Sequence, residues 1–322
     1  MEGKMCPVCG GSGRVSRWLE VGDVAGRLCP AGRDFARFER MKRTLTRLWD
    51  ADRVSVVVCA SCRLGFTNPL VEGDAEFYSI LHERVGYPTD RWEFARAREF
   101  VSRLNRSARV LDVGAGAGDF LNSIDGKHDR FAIEASESLR AMLRSKGIRA
   151  LGSFDETRVE TTGESSERFD LITMFHVIQY FSDPVSMLTK LKSALGSGGR
   201  LMLSVPNADA VGSPDDLVSP PHPLTRWNRV AIERAFERAG LKIESIEFIP
   251  QPVSSLMWAA HAGTRARIAR NPRGISARVD AMKGGLVRNN LLKMLGLFHL
   301  PKVLLGARSR VYRSQLLLTG TV

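Results

Sequence analysis

A doubly wound α/β protein is what this chain predicts, and three features carry that expectation. The first is Val110 to Phe120, V-L-D-V-G-A-G-A-G-D-F: a short apolar run, then Gly114, Gly116 and Gly118 at spacing two, then a helix start from Asp119 to Ile124. Strand, glycine loop and helix make a nucleotide-binding βα unit, because glycine lets backbone turn tightly and approach a ligand without a Cβ clash. The second is a succession of β-rich segments alternating with helical ones: Phe131 to Glu134, Leu139 to Lys146, Arg168 to His176, Asp183 to Leu195, then L-M-L-S-V-P-N from Leu201. The third is a CxxC pair, Cys6-Pro-Val-Cys9 and Cys59-Ala-Ser-Cys62, which sets a separate small module ahead of the sheet.

The glycine loop also indicates its ligand. A dinucleotide fingerprint needs a third glycine three residues after the second, and position 119 is Asp. An acid, Asp112, stands two residues before the first glycine. A pyrophosphate gains nothing from that carboxylate, whereas a cationic ligand does. Twenty-two residues after Asp112 comes Glu134 at the end of the next strand, where a carboxylate can accept from both ribose hydroxyls.

This acid-x-Gly-x-Gly-x-Gly pattern resembles motif I of the class I S-adenosylmethionine (SAM)-dependent methyltransferases. The resemblance implies a Rossmann-like, seven-stranded doubly wound sheet with SAM as cofactor. It implies a SAM site built from Asp112, Gly114, Gly116, Gly118 and Glu134, with Phe154 or Asp155 beside the adenine and His176 at the end of the fourth strand. The CxxC pair, the F-T-N-P stretch from Phe66 and the Phe77-Tyr78 dipeptide together resemble a bacterial subgroup that carries an N-terminal zinc ribbon and modifies sugars or natural-product intermediates.

Two CxxC turns supply four thiolates, a closed tetrahedral set for structural zinc with no open position for catalysis. The 49 residues between Cys9 and Cys59 imply a ribbon with an insertion, and Val54 to Val58 reads as the strand into the second knuckle. Cys29 has no CxxC partner and reads as a lone thiol. Within the insertion, Phe35, Phe38, Met41, Leu45, Leu48 and Trp49 repeat with helical period from Arg33 to Trp49, and the intervening arginines read as a solvated face ahead of an anion-binding one. Asp90 to Asn105 is a second amphipathic helix, which the resemblance makes a cover over the cofactor pocket. Tyr78 and Tyr87 precede it, facing either the acceptor or the lid packing.

Three residues are candidates for acceptor chemistry: His222, His176 and Tyr180. Relatives often carry Glu-His where this chain has Gln179-Tyr180, so catalysis that depends on that pair does not carry over. His222 sits in Pro220-Pro221-His222-Pro223, similar to a loop that lies over the acceptor in the family. Histidine titrates near neutral pH and can take a proton from an acceptor hydroxyl or amine. For both histidines an orienting role competes with a catalytic one. Thr225 or Asn228 caps a helix from Arg229 to Ala239, and Leu241 to Pro250 is a sixth strand.

The domain expectation is a zinc-ribbon-like module over 1–70, a helical lid over 71–106, a SAM-binding core over 107–250, and a basic helical insertion plus the last strand over 251–322. Net charge is +12. Between Thr264 and Arg313 stand twelve Lys or Arg against one acid, Asp280, so this segment holds nearly all of the excess. Leu286 to Leu305 has interleaved apolar and basic positions. A helical cap with a solvated basic face, a surface for an anionic substrate or lipid headgroup, and an RNA-binding face compete for it. The last is disfavoured because no series of aromatic stackers is interleaved.

No run of about 18 apolar residues occurs, so no membrane span is expected, although peripheral membrane contact fits the basic segment. The N-terminus has no apolar signal core, which points to the cytoplasm and to cysteines that are reduced or metal-bound. The expected activity is methyl transfer from SAM to a small acceptor: a sugar, a nucleotide-linked sugar or a natural-product intermediate, with anionic and lipid-linked acceptors among the options. RNA-base methylation, with nucleic acid the less favoured partner, and an inactive SAM-binding protein are the alternatives.

Overall fold

The computed structural model describes residues 4–83, 91–154, 156, 168–209, 219–249 and 315–322. Tyr87, Asp155 and the basic stretch from Thr264 to Arg313 lie outside them. The chain divides into two units: residues 1–206, 218–247 and 317–322 form one, and 207–217 with 248–316 form the other. Nearly all of the second unit lies outside the described residues.

The first sheet of the larger unit has the order β1-β2-β3-β4-β10. The strands are β1 (Lys4–Met5), β2 (Ser12–Glu20), β3 (Arg53–Cys59), β4 (Gly65–Asn68) and β10 (Thr225–Arg226), all paired antiparallel. β3 is the strand expected ahead of the second knuckle. β2 is not legible in the sequence, because Leu19 is its only fully buried side chain and its polar residues show no clean alternation. β10 comes from far along the chain and closes the sheet beside β4.

Between β2 and β3 lie α1 (Val21–Leu28) and α2 (Phe35–Trp49). The Asp34 side chain caps α2 by accepting from the Arg37 amide. The helical period places Met41, Leu45 and Trp49 in a core with Leu19, Val24, Val54 and Val56, and the lone thiol Cys29 is buried there too. The same core takes Phe77, Ile80 and Leu81 from α3 (Ala75–His82), so the first lid helix packs on the ribbon insertion.

The second sheet has seven strands in the order β11-β12-β9-β8-β5-β6-β7. These are β5 (Arg109–Val113), β6 (Asp129–Ile133), β7 (Arg149–Leu151), β8 (Phe169–Phe175), β9 (Leu195–Pro206), β11 (Lys242–Ile249) and β12 (Gln315–Thr321). β7, β6, β5, β8 and β9 pair parallel in succession. The chain runs from β5 outward through β6 and β7, then returns to β8 on the other side of β5. The order therefore reverses at β5, and the crevice at its carboxyl end is where doubly wound sheets bind ligands.

Helices α4 (Trp92–Ser102), α5 (Asp119–Asn122), α6 (Glu137–Ser145), α7 (Pro184–Ser193) and α8 (Arg229–Ala239) complete this half. α5 is a single turn, shorter than the helix expected to Ile124: the Ser123 hydroxyl donates to the Phe120 carbonyl and the chain turns away at Asp125-Gly126. Asp183 caps α7, and Asn228, not Thr225, caps α8. Thr225 instead donates to the Gln179 carbonyl and accepts from the Trp227 indole. Phe94 of α4, Phe120 of α5 and Phe175 of β8 meet with centroids 5.6–5.7 Å apart, so α4 packs on the parallel sheet in a shared core.

Candidate active site and cysteine centre

The glycine loop leaves β5 at the reversal point. The Gly114 amide donates to the Ile133 carbonyl at 2.7 Å, and the Gly118 amide to the Ala115 carbonyl at 2.9 Å. Gly114, Gly116 and Gly118 have φ of 75°, 55° and 80°, the left-handed region that side-chain-bearing residues avoid. A Cβ on Gly114 would lie 2.4 Å from Val177 Cγ2. Gly114→Ala therefore combines left-handed strain with overpacking and is expected to lower stability by about 2–4 kcal/mol. A urea midpoint read with the Gly114→Ala/Val177→Ala double variant checks this: relief of the clash recovers part of the loss, and an unchanged midpoint in the single variant contradicts the geometry.

Glu134 follows β6 directly. Its Oε2 accepts from the Gly116 amide and its Oε1 from the Ser136 amide, both at 2.9 Å. The carboxylate is thus fixed against the glycine loop, with remaining lone pairs available to a ligand. Asp112, 4% exposed, lies within β5 and accepts from the Thr173 hydroxyl of β8 at 2.7 Å. Burial pushes its carboxyl up to about 7, the Thr173 bond opposes that, and the Glu134 charge adds to it. Phe154 is buried just beyond β7. Sequence reasoning missed Thr173, although a lone polar residue in the apolar run F-D-L-I-T-M-F is a readable signal.

His176 follows β8 with φ of 59°. Its Nε2 lies 2.9 Å from Oε1 of Glu93, a 1%-exposed carboxylate in the first turn of α4, whose Oε1 also lies 3.4 Å from the Ser204 hydroxyl. Burial raises the Glu93 pKa, but the His176 bond and charge outweigh it and leave the carboxyl below its ordinary value. Glu93 was not foreseen: on a helix full of charges, nothing in the sequence marks the one that turns inward.

His222 and Tyr180 come together. Their rings stack at 4.4 Å and 8°, with the phenol oxygen 3.2 Å from Nε2. Tyr78 of α3 meets the same imidazole edge-on at 6.0 Å. Residues from three distant stretches thus make one aromatic cluster, while His176 is engaged separately by Glu93.

The four cysteines form the one metal-binding group among the described residues, every Sγ within 4.8 Å of the others. Cys6 and Cys62 sulfurs are 3.6 Å apart, and those of Cys9 and Cys59 are 3.4 Å apart. A tetrahedral ion with metal–sulfur bonds of about 2.3 Å spaces its sulfurs about 3.8 Å apart, so the donor set fits zinc. The knuckles match each other: each first cysteine accepts at its carbonyl from the residue four on, Gly10 or Arg63, both left-handed. The Gly11 amide donates to Cys9 Sγ, and the Ser61 amide to Cys59 Sγ. A bond from Cys62 pulls the Cys6 thiol down to about 5, while Cys62 is pushed up by Cys6 and by burial. Within this pair one thiolate is stabilised at the expense of its neighbour, and a divalent cation would stabilise both charges.

The reversal-point glycine loop, the acid ahead of it and the carboxylate after the second strand are the features on which the resemblance to SAM-dependent methyltransferases rests. Residues 89–246, just under half of the chain, match the family model described as a methyltransferase domain. A curated relative, tRNA U34 carboxymethyltransferase of Campylobacter concisus, is 29% identical over 143 residues, covering 41% of this chain and 50% of its own. The chain thus spans about half the length of that relative. A SAM-dependent methyltransferase from Archaeoglobus fulgidus is similar in structure, with 13% identity, 76% of this chain and 100% of that one covered, and a TM-score of 0.48. A complex between the Haloferax volcanii Trm112 methyltransferase activator and a methyltransferase matches with 18% identity, 71% and 89% coverage, and a TM-score of 0.44. No helix among the described residues is long and apolar enough to cross a membrane.

Proposed function

We propose that the chain transfers a methyl group from SAM to a small acceptor, with structural zinc at Cys6, Cys9, Cys59 and Cys62. The observation that carries the cofactor reading is the Glu134 carboxylate, locked to the Gly116 and Ser136 amides at the reversal point. In that position it accepts from the ribose hydroxyls, the glycine loop passes close to the nucleoside, and Phe154 lies on the adenine side. SAM brings a methyl group already activated by its sulfonium. The protein has to align that carbon with the acceptor nucleophile and exclude water. Phe94, Phe120 and Phe175 supply the dry cover.

On the acceptor side, Tyr78, Tyr180 and His222 form a wall suited to a sugar or other ring. His222 takes the acceptor proton at Nδ1 as its nucleophile attacks, with Nε2–H donating to the Tyr180 oxygen to hold the ring in register. His176, tied to Glu93, orients the end of β8 and makes no proton transfer. Calorimetry of the zinc-loaded protein with SAM and S-adenosylhomocysteine tests the cofactor half; folded protein that shows no saturable binding overturns it. For the base, His222→Ala is expected to lower turnover by about 10²–10⁴-fold with SAM affinity unchanged. Turnover equal to wild type removes His222 from the chemistry.

A second reading, methylation of an RNA base, is favoured by the relative that acts on tRNA and by the basic stretch from Thr264 to Arg313. Charge neutralisation at Arg265, Arg267, Arg270 and Arg273 separates the two. RNA binding then collapses and loses its steep salt dependence, whereas turnover of a small acceptor persists.

A further inference from the structure

We infer that the cysteine ribbon is the frame of the acceptor wall, so that the state of its four thiols governs the geometry of Tyr78, Tyr180 and His222 separately from the SAM pocket. This rests on the acceptor and metal assignments proposed above. Its basis is where the ribbon's hydrogen bonds go.

Three arginines of α2 reach α3: Arg37 is buried, while Arg40 and Arg47 pair with it from an otherwise solvated helix face. Arg37 is buried and donates from Nε and a terminal nitrogen to the Ile80 carbonyl at 2.9 and 2.8 Å, and to the Leu81 carbonyl at 2.9 Å. It thereby satisfies carbonyls at the end of α3 that have no partner within the helix. At the other end, Arg47 donates to Asp74, the cap of α3, at 2.5 Å and to Glu76 at 2.9 Å. Arg40 pairs with Glu83 just past the helix. Tyr78 is therefore carried on a helix clamped at both ends by the segment between the two knuckles.

The His222 loop is stitched to the other side of the same ribbon. The Thr67 amide of β4 donates to the Leu224 carbonyl at 3.1 Å, and β10 pairs with β4 immediately afterwards. The Asn228 side chain donates to the carbonyl of Cys62 itself at 3.2 Å. The Leu224 amide and the Thr225 hydroxyl both donate to the Gln179 carbonyl, which places Tyr180 beside His222. None of these bonds touches Asp112, the glycine loop or Glu134. Loss of the metal releases the knuckles, and the disturbance runs down these two routes to the acceptor wall.

The test uses the zinc-loaded protein beside two variants. Cys59→Ser weakens the metal site, and Arg37→Met leaves all four cysteines in place while cutting the clamp on α3. Three quantities are read: the His222 imidazole resonances, amide exchange over residues 77–82, and S-adenosylhomocysteine affinity by calorimetry. Both variants are expected to shift the His222 signals and to speed exchange at least tenfold, with the dissociation constant within threefold of wild type. Arg37→Lys restores part of the protection, since an ammonium still reaches a carbonyl. Unchanged His222 signals in Arg37→Met overturn the inference, and so does an affinity that falls in step with them. Should wild type itself fail to bind S-adenosylhomocysteine, the cofactor reading fails, while the resonance and exchange results still decide the coupling.

Discussion

Glu134→Ala is expected to weaken SAM binding by about 10²–10³-fold while the protein remains folded. The side chain does two jobs whose losses add. It organises the glycine loop, since its oxygens accept from Gly116 and Ser136, and Glu134→Ala removes that anchor from the middle glycine. In the proposed SAM site its remaining lone pairs face the ribose. A hydrogen bond to a charged group contributes about 1.5–3 kcal/mol, and two such bonds account for the expected factor. Glu134→Gln separates the jobs. One oxygen still accepts, but the amide nitrogen confronts a backbone N–H, so an affinity between wild type and alanine is expected. Calorimetry reads all three proteins, and alanine binding as tightly as wild type contradicts the ribose assignment outright.

Asp112 makes the second large effect a matter of pH. Its folded pKa is raised from 3.8 to about 7, so the folded state holds the proton more tightly than the unfolded chain does. The stabilisation from this group is therefore fully present below about pH 4, and it is lost as pH rises towards 7. Over that window the difference is on the order of 4 kcal/mol for the ligand-free protein. A cationic ligand reverses the preference and favours the carboxylate. With the Asp112 carboxyl raised to about 7, SAM binding at mildly acidic pH is expected to release part of a proton. Titration in two buffers of different ionisation enthalpy measures this directly, and identical heats in both would remove the charge pairing. Asp112→Asn keeps an acceptor for Thr173, abolishes the proton release, and flattens the stability profile between pH 4 and 7.

The fold class, the glycine loop and the carboxylate that meets it are legible in the chain itself. The reason is that both depend on local rules. A left-handed turn needs glycine, so Gly114, Gly116 and Gly118 announce themselves. A buried parallel strand needs a short apolar run, so β5 and β8 do too. The ribose carboxylate stands at a spacing set by one helix and one strand. The CxxC turns are equally local, and four sulfurs at 3.4–4.8 Å are what the pattern alone leads one to expect.

What only the tertiary structure decided is which charged and aromatic residues meet. Glu93 looks like any surface acid on α4, yet it is buried against His176. Arg37 looks like one more arginine in a basic helix, yet it caps α3. Tyr78, Tyr180 and His222 lie up to 144 positions apart in the sequence and share one cluster. Long polar side chains have no periodicity that records their partner. Where a guanidinium or carboxylate points is set by which backbone carbonyls and rings the packed helices leave within reach, and that packing is a property of the whole fold.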